Sequence, residues 1–562
     1  MTPREVDTVL LAGRAITMAA EVPEGPVAIA VADGRIVAVV PRAEADRYVG
    51  PGTTVLDAGN RTVLPGFVDP HAHFEVAART RHLTVDCRAP RCGSVSDVLD
   101  TLRDGLGEAR DGWLVGQGNL FFDRKLAERR FPTRAELDSV SRDVAVAVRA
   151  GGHVTLLNSR ALELAGIDGT YRPVQHSITG RPTVERGSDG TPTGVVKEMD
   201  KLLPFPRLGA GELEDAILDG LGDLFTRYGV TTLGEISETV DGLGIMDSGH
   251  VRGLLGTRLH VYLWAPGTAS LDEACAHRSW LRFAADESRI RVHGVKVFAD
   301  GGYSAASAAL RRPYALAGHG CGEMAMSAEE IRGALLQTAD AGLQLAIHAN
   351  GDRAQAEVCA AIEGALDRLP AGAPTTRIEH AGNFLPDYDT ATAAYRRAGI
   401  IPVPQPVFLY NFGEFLPDYV GEYARDTQFP FRRLLDDGWN LSGSSDVWVG
   451  SEEAQTNPFF SVWCCVQRRS FHGASVSDDQ RISVLEALRM HTLGGAGALG
   501  EEASRGSLEP GKLADLLVVD RDPLGVPADE LRDVRVDQVF LGGEPVFVRE
   551  NSAARPVRFG SA

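Results

Sequence analysis

Short apolar runs separated by amphipathic stretches set the pattern of the central part of the chain. Val63 to Val68 reads as one buried strand, broken only by Pro65 and Gly66. Gly229-Val-Thr-Thr-Leu233, Gly294-Val-Lys-Val-Phe298 and Leu343-Gln-Leu-Ala-Ile347 read the same way, as do the shorter runs before His380 and Asp446. Ser327 to Ala341 and Ala354 to Leu369 have helical character and separate several of them. Strands alternating with helical patterns predict parallel βα units. Eight such units closing on themselves make a barrel whose chemistry gathers at the C-terminal strand ends. The expected fold class is therefore α/β, a (β/α)8 TIM-like barrel.

A different periodicity marks the ends. From Asp7 to Asp57 apolar and polar positions alternate around turn signals, and Asp33-Gly34 inside Val27 to Val40 fits a two-residue hairpin turn. Ala514 to Asp520 and Val536 to Val548 carry the same strand signals. Neither end is large enough to bury both faces of a sheet, so the two are expected to pair as one small β-sandwich. The predicted organisation is residues 1–62 plus 500–562 as that sandwich, and residues 63–499 as the barrel. Residues 80–205 are expected to form an inserted subdomain, with a helix from Val95 to Ala109, a strand from Val144 to Arg149 and a polar stretch from Tyr171 to Gly194. Ordinary barrel connections are short, so this interval is expected to roof the site.

The 562-residue length exceeds one compact core, in line with several domains. A formal charge of −19 argues against a nucleic-acid partner, which would want a basic face. The N-terminal Met-Thr-Pro-Arg-Glu-Val-Asp lacks the order of a signal peptide. No uncharged apolar run approaches the roughly 18 residues that span a bilayer. The expectation is a cytoplasmic protein with a small-molecule substrate and no membrane partner; a homodimer stays open. Seven cysteines in so long a chain do not suggest a disulfide framework, and adjacent Cys464 and Cys465 in an apolar run read as buried thiols.

Candidate chemistry begins at His71-Ala-His73, directly after the first barrel run. Alternate strand residues share a side, so both imidazoles can converge on one point just past the strand. Imidazole suits a borderline ion such as zinc, and a nearby Asp can orient the rings. Lys296, His348, His380 and Asp446 each follow or lie in their own apolar run. In a barrel, these scattered positions become one site.

At these residues the chain resembles the amidohydrolase superfamily, in its family-3 branch of N-formyl and N-acyl amide hydrolases. The resemblance covers nearly the whole chain, through Leu64-Pro-Gly-Phe-Val-Asp-Pro-His-Ala-His73, Phe131-Pro-Thr-Arg-Ala-Glu-Leu-Asp138, Gly152-His-Val-Thr-Leu-Leu-Asn-Ser159 and Asp189-Gly-Thr-Pro-Thr-Gly194. It continues in Gly294-Val-Lys-Val-Phe-Ala-Asp-Gly301, His348-Ala-Asn-Gly-Asp-Arg-Ala354, Arg377-Ile-Glu-His-Ala381 and Gly511 to Asp520. Gly302 and Asn350 depart from its usual serine and apolar residue.

The resemblance implies a metal site of His71, His73, Lys296, His348, His380 and Asp446. In related enzymes the lysine adds carbon dioxide and bridges two ions. On that basis Lys296 is expected to be carboxylated, with His71 and His73 on the buried ion and His348 and His380 on the more exposed one. One or two Zn2+ are the first choice, with other divalent metals open. The alternatives are an unmodified Lys296 pairing with Asp300 or a substrate carboxylate, and Cys92 as the bridging ligand. Asp446 is expected to shuttle a proton from a metal-activated hydroxide nucleophile to the leaving nitrogen.

His153, after Gly151-Gly152, is the other catalytic candidate, facing substrate, with Asn158 in the same stretch. Asp352 and Arg353 are expected to pair structurally behind His348, and Glu379 to support rather than ligate. Phe121, Phe122, Phe408, Tyr410 and Trp448 are candidate pocket residues. The expected function is metal-dependent hydrolysis of a linear C–N amide, best an N-formyl or small N-acyl amine. A cyclic-amide hydrolase, deaminase or esterase on the same fold is the first alternative. A non-catalytic metal-binding scaffold is the alternative of another class.

Overall fold

The computed structural model describes residues 6–20, 23–174, 177 and 179–550, and the backbone of 555–557. Part of the polar stretch expected from Tyr171 to Gly194 thus lies outside the described residues. At the centre is a parallel seven-stranded sheet: Phe67–Ala72 (β1), Val230–Ser237 (β2), Arg258–Trp264 (β3), Ile290–Phe298 (β4), Gln344–His348 (β5), Arg377–Glu379 (β6) and Ile401–Val403 (β7). Neighbours in the sheet follow chain order, as successive βα units require.

The run Leu441 to Val447 closes the gap without forming a regular strand. Its Ser444 hydroxyl donates to the Pro404 carbonyl beyond β7. On the other side the Asp446 amide donates to His71 O at 2.8 Å, and the His73 amide donates to Val447 O at 3.0 Å. The fold is a TIM-like barrel with added sheets, and the run bearing Asp446 takes the place of its eighth stave.

The expected single strand from Val63 to Val68 is two strands. Thr62–Pro65 pairs with Leu516–Val519 in a sheet of the chain ends, whereas Phe67–Ala72 pairs with β2. Gly66 is the hinge. A Cβ there would lie 2.1 Å from Thr231 Oγ1, so only glycine lets the chain pass so close to β2.

Helices cover the outside of the barrel. Ala328–Asp340 starts at a capping box in which Ser327 Oγ accepts from the Glu330 amide, and the Glu330 carboxylate accepts from the Ser327 amide. Ile331, Ala334, Leu335 and Thr338 recur at helical spacing and bury against the strands. The helix expected from Ala354 to Leu369 runs Asp352–Glu363, with a separate short turn at Leu366–Arg368.

Both chain ends contribute to two five-stranded sheets, and Leu10, Ile29, Val63, Leu516, Val518 and Phe540 fill the space between them. Asp33 and Gly34 both have positive φ, 51° and 71°, which suits the hairpin turn joining Val27–Ala32 to Arg35–Pro41. Between β1 and β2 lies a six-stranded sheet that includes Trp113–Gly118, Ala145–Ala150 and Val154–Leu157. Two apolar clusters pack on it, one containing Leu102, Leu114 and Val148, the other Trp113, Ala147 and Leu157. Among the described residues no helix is long and apolar enough to cross a membrane.

Candidate active site

His71 is the fifth residue of β1, and His73 stands at the N-terminus of the helix Phe74–Leu83. Lys296 lies in β4, His348 ends β5, His380 follows β6, and Asp446 lies on the closing run. All six meet at one end of the barrel. His71 Nε2 is 3.3 Å from Asp446 Oδ1 and 3.4 Å from Lys296 Nζ, and His73 Nε2 is 3.6 Å from the same Asp446 oxygen. On the other side His380 Nε2 is 2.9 Å from His348 Nδ1. His380 and Asp446 both take left-handed backbone conformations, with φ of 72° and 44°. Such strain in non-glycine residues persists only where surroundings enforce it, and it collects at functional sites.

The second nitrogen of each imidazole reveals how the rings are oriented. His71 Nδ1 is 2.6 Å from Glu379 Oε2, and Glu379 in turn meets the fully buried Arg377 at 2.6 Å. His380 Nδ1 faces Gln405 Oε1 at 2.7 Å. His348 Nε2 lies near Gly301 O and Asn350 Nδ2, at 3.3 and 3.2 Å. His73 differs, for its buried Nδ1 has no hydrogen-bond partner among the described residues. It is held by packing instead, stacked on Trp448 at 4.6 Å with the edge of Trp264 at 5.4 Å.

The nearby Asp expected to orient the rings, Asp69, does not touch them. Its carboxylate accepts from the backbone amides of His71 and Ser445 and so joins β1 to the closing run. Glu379 does the orienting, which fits the supporting role expected of it.

Electrostatically the imidazoles are suited to be ligands. Burial, then nearby cations, hold His71 and His73 well below the usual histidine range, and burial with Lys296 takes His380 down to about 3. These rings are neutral and keep a lone pair. Burial also lowers the Lys296 ammonium, against the pull of Glu379 and Asp446. It raises the Asp446 carboxyl, against the pull of Lys296. The ligand atoms of His71, His73 and Asp446 all lie within 4.8 Å of one another. A neutral imidazole pair beside a carboxylate, converging in a buried pocket, fits a divalent ion.

A second cluster, His260, His293 and Glu501, has similar spacing but does not fit one. Arg291 donates to the Glu501 carboxylate and lies 3.5 Å from His293 Nδ1, and Arg505 pairs with Glu501 at 3.1 Å. The guanidinium of this chain already fills that position.

Several alternatives fail on placement. Asp300 accepts from the amides of Ala309, Asn350 and Gly351 at 2.9 Å, so it braces a loop rather than pairing with Lys296. Cys92 is not a bridging ligand: it belongs to the core of the inserted sheet, beside Thr101 Oγ1 at 3.3 Å. Asp352 and Arg353 do not form the expected side-chain pair. Arg353 donates to the carbonyls of Leu310 and Gly322, while Asp352 accepts from the amides of Arg311 and Arg353. Asn158 caps the helix Ser159–Leu164 and ties down Val146, Ser141 and Val144, a structural role.

A small cavity of about 40 Å³ opens over the site. Phe121, Phe408 and Trp448 line it as expected, and so does His153. Phe122 packs in the inserted core instead, and Tyr410 packs on Phe460 at 5.0 Å. His153 Nδ1 lies 2.9 Å from Glu198 Oε2. Burial alone would lower this imidazole, but the charge and hydrogen bond of Glu198 outweigh it and leave it raised. Glu198 and Gln405 had no signal in the sequence; each reaches the site only through a contact distant along the chain.

The Glu379 network carries a stability prediction. Glu379→Ala leaves Arg377 buried and unpaired, and breaking such a pair costs about 3–5 kcal/mol. Denaturant unfolding measures it; a loss below about 1 kcal/mol would mean that the pair does not hold β6 and His71 in place.

The amidohydrolase family model matches residues 54–547. An N-substituted formamide deformylase from Arthrobacter pascens is 29% identical over 93% of this chain and 95% of its own. The Arabidopsis thaliana protein LONG AFTER FAR-RED 3 is 27% identical over 92% of this chain and 88% of its own. Among solved structures, an uncharacterized metal-dependent hydrolase from Pyrococcus horikoshii OT3 has the same fold, with a TM-score of 0.69 and 22% identity over 93% of this chain and 99% of that one. The chain belongs to the amidohydrolase family, metal-dependent hydrolases acting on carbon–nitrogen bonds other than peptide bonds.

Proposed function

We propose that this chain hydrolyses linear amides with a small acyl group, N-formyl amines foremost, using zinc as the first-choice ion. The observation that carries the reading is the convergence of His71, His73 and Asp446 in a cavity walled by Phe121, Phe408 and Trp448. Aromatic walls suit an amide of an apolar amine. The formamide deformylase relative supports the same substrate class.

His71, His73, Lys296, His348, His380 and Asp446 would hold the ion or ions. A divalent ion there supplies Lewis acidity and brings the pKa of water toward neutrality. Asp446 takes the proton of the attacking water and returns it to the departing nitrogen, because an amine anion is too basic to leave without it. Burial favours the free amine of Lys296, the form that adds carbon dioxide with loss of a proton to give a carbamate. That carbamate would offer two oxygen ligands in place of a poor ammonium.

A panel of N-formyl, N-acetyl, cyclic-amide, amino-purine and ester substrates tests the reading on zinc-loaded protein. Preferential turnover of the formyl or acetyl amides is expected; turnover confined to another class overturns it. Lys296→Ala is expected to lose at least one equivalent of metal, with partial recovery in added acetate. Native mass spectrometry of the wild type is expected to show one added carbon dioxide. Full metal content in Lys296→Ala would exclude the carbamate.

A further inference from the structure

The contacts behind His153 reach further than its own hydrogen bond. Gly151 and Gly152 turn the chain with positive φ of 69° and 77°, and this places His153 over the cavity between two strands of the inserted sheet. The Glu198 amide donates to the His153 carbonyl at 2.8 Å, so main chain and side chain of this pair are fastened together. Glu198 is fully buried, with a left-handed φ of 52°. Its other carboxylate oxygen accepts from the Gly302 amide at 3.2 Å and from the Ser307 hydroxyl, both on the loop that follows β4. Three donors on two separate parts of the fold thus meet on one carboxylate.

Gly302 itself lies under the imidazole. A Cβ at this position would stand 2.8 Å from His153 Cγ and Cδ2 and 2.9 Å from Nδ1. The ring cannot rotate away cheaply, since its Nδ1 is held by Glu198, and Trp448 flanks it at 5.9 Å. Any side chain at 302 therefore pushes the ring toward the cavity it lines. The ring's position thus bears directly on the room beside it in that cavity.

We propose that Gly302 is a specificity-determining residue and Glu198 a positioning residue, which together set how far His153 stands back and so how large an acyl group the site accepts. The inference rests on the small-acyl amide reading above. One methylene in a fitted pocket is worth about 10–200-fold in discrimination. The ring position sets where on that scale acetyl stands relative to formyl.

The test uses the zinc-loaded full chain and the ratio of kcat/KM for N-acetyl over N-formyl derivatives of one amine. Gly302→Ala is expected to lower the ratio about tenfold or more, the acetyl rate falling further than the formyl rate. Glu198→Gln keeps an acceptor for Gly302 and Ser307 but loosens its hold on His153, so the ratio is expected to rise. A merely structural role would lower both rates together and leave the ratio fixed, which would overturn the proposal.

Binding of formate, acetate and propionate by calorimetry reads the same limit without turnover. If no amide is hydrolysed but the size limit among these acids moves in opposite directions in the two variants, the amide reading fails and this inference stands. An unmoved size limit for the acids in both variants overturns it. Should Gly302→Ala not fold, the Glu198→Gln ratio and acid series decide alone, an unchanged ratio and an unchanged series counting against the proposal.

Discussion

Replacing His71 and His73 together by alanine is expected to abolish metal retention and hydrolysis and to leave a folded barrel. Both rings are buried, yet their loss does not strand a charge, because Glu379 keeps its 2.6 Å contact with Arg377. The backbone link between β1 and the closing run also survives, since Asp446 N to His71 O and His73 N to Val447 O involve no side chain. Elemental analysis of the purified double variant, beside a cooperative unfolding transition, checks the expectation. Wild-type metal content would remove these residues from the ligand set. Loss of the cooperative transition would show that the rings serve the fold more than the ion.

Asp446→Asn is expected to retain some metal and lose about 10²–10⁴-fold in kcat, toward the upper end if the residue serves both the nucleophile and the leaving group. Asparagine keeps an oxygen toward His71 and His73 but takes no proton at neutral pH. The structure adds a reason to expect a large effect: one Asp446 oxygen lies within 3.6 Å of both His71 Nε2 and His73 Nε2, and the other lies 4.0 Å from His380 Nδ1. Activated anilides or esters have leaving groups that need less help from a proton, and the defect should shrink for them. Paired rates on an N-formyl alkylamine and an activated analogue decide the matter. An equal loss on both would confine Asp446 to the nucleophile or the ion and withdraw the mechanistic support for C–N cleavage.

Much of the barrel was legible in the chain because β1, β2, β4 and β5 contain apolar runs, and β1, β4 and β5 carry candidate ligands at or near one end, whereas β3 and β7 were not read from the sequence. Lys296 and His348 could each be placed near the end of its own apolar run from local pattern; that β4 and β5 pair with Phe298 beside His348 came only with the tertiary structure. Local pattern failed where the chain changes partners. Val63 to Val68 looks continuous because both halves are apolar, and only the close approach of Thr231 to Gly66 shows that two sheets share it. Leu441 to Asp446 is an eighth stave without strand geometry, held by main-chain bonds to β1 that no periodicity announces.

Consecutive residues alone carried much of the strand and helix alternation and the amidohydrolase resemblance, which implied six candidates, because short apolar runs and motifs are local features. Tertiary structure alone decided what surrounds them. Glu379 rather than Asp69 orients His71, two tryptophans rather than a carboxylate hold His73, and Arg291 fills a His–His–Glu cluster that would otherwise resemble a metal site. Glu198 meets His153 from 45 positions away and joins it to a loop more than 100 positions further on. Such contacts depend on how separate elements pack, and a local stretch of residues carries no record of what will lie across from it.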